Sequence, residues 1–310
     1  MVSEAGKGIL AIVAACTIWG LATLYYKAMA HVPPLEVLAH RTLWTCTFFG
    51  VLLVVQGRFG AAVALIRGPQ RSRVMLAAGI VAVNWGLFIW AIQAGHAVEA
   101  SLGYYIFPLV TVVLGVLVLG ERLTRGQAVA VGFALGAVIV LTYGLGVAPY
   151  VALALAFSFA PYMLIKKQMA APAAVSVTAE VLVLLPLAIL WLAVAHAGQM
   201  MQTGGWFGRD GFTTLMLPVT GVITGGPLIL FSWGAQRVRL STLGLVQYLN
   251  PSLQAVTAVL VFGEPFTIWH KAAFGMIWAA LALYSLEGWR QERAARSLSI
   301  SDGTSGTVVK

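Results

Sequence analysis

The sequence predicts an all-α membrane protein: ten transmembrane helices arranged as two inverted five-helix repeats. Three observations predict it. Apolar residues make up 60% of the 310 residues and charged residues 9%, against about 25% charged in an average soluble protein. Ten segments are apolar over the roughly 20 residues that a spanning helix needs. Finally, Leu87–Glu121 recurs 143 residues later, without a gap, as Leu230–Glu264, with thirteen of 35 positions identical. Leu and Val match by chance in apolar segments. The weight falls on Trp90/Trp233, Gln93/Gln236, Tyr105/Tyr248, Pro108/Pro251, Gly120/Gly263 and Glu121/Glu264.

In chain order the spans read 8–28, 36–56, 74–94, 98–119, 126–145, 147–168, 175–196, 213–233, 241–262 and 269–289. The first is too long for the apolar core of a signal peptide, and no small-residue cleavage site follows it. The longest connections run from Gly57 to Arg73 and from Ala197 to Phe212. The first repeat is 8–145 and the second 147–289. Five spans per half is odd, so the second half enters the membrane from the opposite side, and the repeat is inverted. Residues 290–310 are polar and are expected to form a disordered cytoplasmic tail. Gly132 and Gly136 on the fifth span make a GxxxG pair suited to close helix packing.

Charge orients the chain. With the N-terminus inside, fifteen of the 19 Lys and Arg face the cytoplasm; Lys27, Arg41, Arg209 and Lys271 face out. This positive-inside split places both termini in the cytoplasm. It also explains the net charge of +9 without nucleic acid, since no basic patch is interleaved with aromatics. The five His are scattered, without metal-ligand spacing. Phosphate-loop, HExxH and Ser-His-Asp patterns are absent, so neither an enzyme nor a cofactor is indicated. Leu217-Pro-Val-Thr-Gly221 resembles a sorting signal but lies inside a span. Cys16 and Cys46 also lie inside spans and read as apolar filler.

Pro108 and Pro251 sit at matched positions in the fourth and ninth spans. Each lacks an amide hydrogen and crowds the carbonyl four residues earlier, at Tyr104 and Gln247. Two broken helices at symmetric positions point to a central site. Tyr104, Tyr105, Gln247, Tyr248 and Asn250 flank the breaks. With Trp19, Asn84 and Trp85 they are the candidate substrate contacts. The cavity would be lined by the first, third, fourth, sixth, eighth and ninth spans.

Ionisable groups at membrane depth cost about 2.5–3.5 kcal/mol even on the mild insertion scale. Glu36 and His40 share a face of the second span, and Arg41 points about 100° away. Glu99 opens the fourth span, Glu180 lies in the seventh, and Arg239 precedes the ninth. His40, Arg41, Glu99, Glu180 and Arg239 are the gating or coupling candidates. Arg41 with Glu99 would close an outer gate and Glu180 with Arg239 an inner one. Interfacial snorkelling explains the same residues more simply.

These residues resemble the EamA-type members of the drug/metabolite transporter superfamily, and within it the RarD subfamily. The likeness covers about residues 5–290. It rests on Gly8, Trp19-Gly20, Glu36-Val-Leu-Ala-His-Arg41, Asn84-Trp85, Glu99-Ala-Ser-Leu-Gly-Tyr104, Pro108-Leu109, Gly120-Glu-Arg122 and Arg237-Val-Arg-Leu-Ser-Thr-Leu-Gly244, with Gln247-Tyr248 and Pro251. The family pattern has Gly-Pro before the second break, where this chain reads Asn250-Pro251. The resemblance implies a bacterial inner-membrane permease, an exporter, from a subfamily labelled chloramphenicol-sensitive. Smaller relatives couple to protons through an acid on the first helix. The first span here has none, so that mechanism does not carry over.

The reading is therefore an alternating-access transporter for a small amphipathic or aromatic metabolite. Its partners are that substrate and membrane lipid, and it acts as a monomer or homodimer. The alternatives are a channel-like facilitator, or a non-transporting sensor or assembly component.

Overall fold

The structure is a computed structural model that describes residues 3–120, 124–169, 171–198, 205–238 and 240–304. Twelve helices form among these residues: α1 Glu4–Ala28, α2 Pro34–Val55, α3 Phe59–Arg67, α4 Arg71–Gln93, α5 Ala97–Leu119, α6 Arg125–Leu145, α7 Tyr150–Met169, α8 Ala173–His196, α9 Gly211–Ala235, α10 Leu240–Val246, α11 Leu249–Leu260 and α12 Ile268–Thr304. Eight of them, α1, α2 and α4 to α9, are long and apolar enough to cross a membrane. Their starts follow local chemistry. Ser3 accepts from the Gly6 amide and caps α1. Thr124 and Gln127 form a reciprocal capping box on α6, which satisfies two donors that a helix start leaves open.

The fifty-seven to seventy-three connection is not a plain loop. Residues 59–67 form α3, whose Ala62 is buried as the helix packs on α8 and α4. Nine residues span too little depth to cross a bilayer, which is why the segment does not read as a span. The tail also departs from expectation. α12 runs through Thr304, so residues 290–304 are helical where disorder was expected. Gln291-Glu-Arg-Ala-Ala-Arg296 are strong helix formers, and they extend a helix already nucleated upstream.

The two prolines behave differently, which corrects the expectation of two symmetric breaks. The ninth span does divide, into α10 and α11, with a turn at Gln247 and Tyr248. Pro251 then lies in the first turn of α11, where its missing N–H has no intrahelical acceptor to lose. α5 runs unbroken through Pro108. Packing holds it: α5 lies along α7, and a Cβ at Gly103 would meet the Ala152 carbonyl at 2.8 Å. α10 is only seven residues long.

The helices pack in a definite set. α1 packs on α9 and α11, α2 on α8 and α9, α4 on α7 and α8, α5 on α7 and α11, and α6 on α12. One apolar core gathers Tyr26, Leu102, Tyr105, Leu141 and Leu155; a second gathers Phe49, Leu53, Val81 and Val181 between α2, α4 and α8. Large apolar side chains such as Leu117, Leu135, Tyr143, Leu190 and Leu260 are exposed, the pattern of a surface that faces lipid rather than water. Gly136 faces α12, since a Cβ there would meet Met276 Cε at 2.5 Å. The GxxxG pair thus serves packing within the chain at that position.

α1 and α9 cross at Gly8 and Gly234. A Cβ at Gly234 would lie 2.6 Å from the Gly8 carbonyl oxygen. Backbone cannot yield as a side-chain tip can, so Gly234→Val is expected to cost about 1–3 kcal/mol. Thermal unfolding of the detergent-purified variant checks this, and an unchanged midpoint would contradict the crossing geometry.

Candidate functional site

α2 carries an unusual polar face. Glu36, His40, Arg41 and Thr45 are all buried, at 0, 3, 8 and 0% exposure. Glu36 Oε2, both ring nitrogens of His40, Arg41 Nε, Trp44 Nε1 and Thr45 Oγ1 have no hydrogen-bond partner among the described residues. Positions 36, 40 and 44 recur every four residues along one row of the helix, with 41 and 45 on the row about 100° round. α2 here packs against α8 and α9, and Thr224 on α9 adds a further unsatisfied hydroxyl. Each buried polar group left without a partner costs about 1–3 kcal/mol. A stripe of them needs a ligand or water for compensation.

Arg41 does not form the expected pair with Glu99. Its guanidinium carbon lies 4.0 Å from the Trp85 ring centroid and 5.9 Å from that of Tyr26. Glu99 instead faces His96, one turn back on its own helix, with Nδ1 to Oε1 at 3.1 Å. The aromatic face next to Arg41 competes successfully for the cation because both are already buried there.

The 205–210 segment folds over the stripe. The Trp206 amide donates to Glu36 Oε1 at 2.5 Å, Phe207 stacks on His40 at 5.2 Å, and His31 meets Trp206 edge-on at 5.0 Å. Asp210 then caps α9 by accepting from the Thr213 amide, which holds its carboxyl below its ordinary pKa.

Glu180 sits in a different cluster. Its Oε1 pairs with Lys166 Nζ at 2.6 Å, and its Oε2 accepts from the Tyr162 hydroxyl at 3.0 Å. Lys166 also donates to Ser176 Oγ. The expected partner, Arg239, lies outside the described residues. Lys166 reaches Glu180 across the short connection between the end of α7 at Met169 and the start of α8 at Ala173. Lys166 lies about 4.5 Å from the end of α7 and Glu180 about 10.5 Å from the start of α8, by helical rise, a gap that a lysine side chain spans.

The aromatic and amide candidates fall into two groups. Asn84 is fully buried and its polar atoms are engaged. Its Nδ2 donates to the Leu155 carbonyl and Ser158 Oγ, and its Oδ1 accepts from the Tyr104 hydroxyl at 3.2 Å. It ties α4, α5 and α7 together. Tyr105 and Tyr248, which occupy matched repeat positions, stack on each other at 6.2 Å, and Tyr105 bonds to Ser252. Tyr105 is only 1% exposed. It forms the seam between the repeat copies, so alanine there would open a core cavity. Trp19 rests on Phe231 at 5.7 Å, Asn250 accepts from Gln254, and Gln247 lies in the turn that divides the ninth span.

Sequence reading gave Lys166, Tyr162, Trp206 and Phe207 no place in the site. A lysine near the end of one span and an acid in the next across a short turn was a usable signal. Trp206 and Phe207 left none, since their role depends on where a loop folds back. The repeat motif Gly-Glu gains a role from the structure. Glu264 follows Gly263, which is left-handed at φ 67°, and its two oxygens accept from the Ala97 and Val98 amides at 2.8 Å each. The carboxylate from one repeat caps the α5 N-terminus in the other, where negative charge is favoured.

The EamA-like transporter family model matches residues 6–143. Relatives match nearly the whole chain. Protein RarD of Streptomyces exfoliatus is 42% identical, covering 95% of this chain and 93% of its own. An uncharacterized transporter of Vibrio cholerae is 40% identical, covering 94% and 96%. The chloramphenicol-sensitive protein RarD of Pseudomonas aeruginosa is 30% identical, covering 94% and 96%. A solved crystal structure 20% identical to the chain shares the fold, with a TM-score of 0.61 over 92% of this chain and 98% of that one. Identity at this level over essentially full length shows that the chain belongs to the EamA-like transporter family and, within it, to the RarD group.

Proposed function

We propose that the protein is a bacterial inner-membrane exporter of a small amphipathic or aromatic metabolite, working by alternating access between two inverted five-span repeats. The spans would be α1, α2, α4, α5 and α6, then α7, α8, α9, α10 with α11, and α12. The packing supports this pairing. Under a two-fold relating the halves, α1 on α9 is the mate of α7 on α4, α1 on α11 of α7 on α5, and α2 on α9 of α8 on α4. α2 on α8, α5 on α11 and α6 on α12 are each their own mate. Chance assembly would not return the whole set.

The observation that carries transport is the set of buried, unsatisfied polar groups on α2, a helix that packs on α8 and α9 of the other half and whose Arg41 faces Tyr26 and Trp85. A purely structural membrane protein would fill that seam with apolar side chains. In this reading the halves rock about the Tyr105–Tyr248 seam. The Trp206–Phe207 segment closes the outer mouth over Glu36 and His40, and the Lys166–Glu180 cluster ties the inner end of one half. Comparing the metabolites of cells with and without the protein tests the reading. A small aromatic or amphipathic compound should accumulate inside cells that lack it, and equal pools with no flux in reconstituted vesicles would refute transport.

Orientation is tested separately. With both termini cytoplasmic, a cysteine replacing the exposed Arg209 is expected to react with an impermeant thiol reagent applied from outside, and one replacing the exposed Arg67 is not. The reverse pattern would overturn the orientation.

A further inference from the structure

We propose that the substrate is an organic monoanion, and that Arg41 binds its carboxylate. The proposal deepens the transport reading and rests on it only for the word substrate; binding is tested without flux. The geometry of the cation leads to it. Trp85 and Tyr26 lie against the guanidinium. Ring contacts occupy the faces of a guanidinium and leave its edges, where its five N–H donors point. Arg41 donates none of these to an acceptor among the described residues, and its Nε is sealed from solvent without a partner. The residue is 92% buried, being 8% exposed.

Arg237 offers a comparison, since its Nε is likewise buried without a hydrogen-bond partner among the described residues. Its guanidinium also lies on a tryptophan, Trp233, at 3.7 Å. Yet Arg237 donates to the Trp233 carbonyl at 2.9 Å and faces Glu4 at 3.4 Å. Arg41 has the ring and lacks both acceptors.

The other buried charges do not compensate it. Lys166 and Glu180 neutralise each other. Glu36, on the same helix, gives one oxygen to the Trp206 amide and makes no ion pair within 4.0 Å among the described residues. Glu36 is thus a separate unpaired group, and Arg41, presented edge-on, fits one planar carboxylate through two parallel N–H···O bonds. The surrounding wall fits the rest of such a ligand. Phe88 links Tyr26 and Tyr104 edge-to-face at 5.8 and 5.5 Å, an aromatic surface suited to an aryl or apolar tail. A cation would be repelled, and a neutral compound would leave the arginine unpaired.

The test uses the purified full-length protein in detergent, with indole-3-acetate and phenylacetate titrated calorimetrically against their amides, tryptamine and inorganic phosphate. Both acids are expected to bind, with the amides, tryptamine and phosphate about 10- to 100-fold weaker, the worth of a charged hydrogen-bonded contact. Arg41→Met is expected to abolish the preference for acid over amide, and Arg41→Lys to keep part of it. Ligand-free Arg41→Met is expected to unfold at a temperature no lower than the parent protein, because no hydrogen bond is lost and a buried lone charge is removed. Equal binding of acid and amide, undiminished acid binding by Arg41→Met, no acid binding at millimolar concentration, or marked destabilisation of the ligand-free variant would each overturn the proposal. Acid binding without flux in vesicles would leave it standing and refute transport instead.

Discussion

Lys166→Met is expected to destabilise the protein by about 3–5 kcal/mol, the cost of leaving one partner of a buried ion pair alone. Glu180 is 1% exposed, so water cannot replace the lysine. Only the Tyr162 hydroxyl would remain, at 3.0 Å. The double variant Lys166→Met with Glu180→Leu is expected to recover more than half of the loss, since similar-sized apolar residues often match a buried pair. Thermal unfolding of the parent, both single variants and the double variant closes the cycle. Additive losses would mean that the 2.6 Å contact does not couple the two residues. The cycle also separates stability from function. If the double variant folds but no longer transports, the pair serves the inner closure as well as the fold.

Glu36→Leu is expected to free the 205–210 segment from the α2 stripe. The Trp206 amide would lose a charged acceptor held at 2.5 Å, worth about 1.5–3 kcal/mol, or about 10- to 150-fold in the open-to-closed ratio. Glu36→Gln keeps an acceptor oxygen and is expected to fall between. A reporter cysteine at Thr45, fully buried on the same helix, measures the opening. It would be introduced with Cys16 and Cys46, both buried, changed to alanine. Reactivity from the side of the segment should rise in the order parent, Glu36→Gln, Glu36→Leu. Unchanged reactivity in both variants would show that Phe207 on His40 closes the mouth without the carboxylate.

The candidate site was only partly legible in the sequence. Arg41, Glu36 and His40 stood out because charge and imidazole are expensive at membrane depth. That argument identifies a residue that needs a partner and does not say which. Charge complementarity suggested Glu99 for Arg41, and the structure gives Trp85. Asn84 and Tyr104 were recognised as polar groups near the helix break. Whether their polar atoms face a ligand or each other depends on the angle between α4, α5 and α7, and the structure ties them together. The matched prolines looked equivalent because their local chemistry is the same. They differ in the structure, where α5 is continuous through Pro108 and the ninth span divides at Gln247 and Tyr248.

The sequence by itself determined the membrane class, most of the long apolar segments and the recurrence of Leu87–Glu121 as Leu230–Glu264. These depend on overall composition, on hydrophobic length, and on identities that repeat at a fixed offset. All three are local or one-dimensional quantities, so the chain displays them directly. The tertiary structure alone decided the rest. It brought Tyr105 onto Tyr248, set Glu264 of one repeat on the α5 N-terminus of the other, folded Trp206 onto Glu36 and left Arg41 among rings without an acceptor. Those contacts join residues up to 170 positions apart, and their energies turn on ångström distances and ring orientation. Neither composition nor spacing encodes such quantities until the helices have packed.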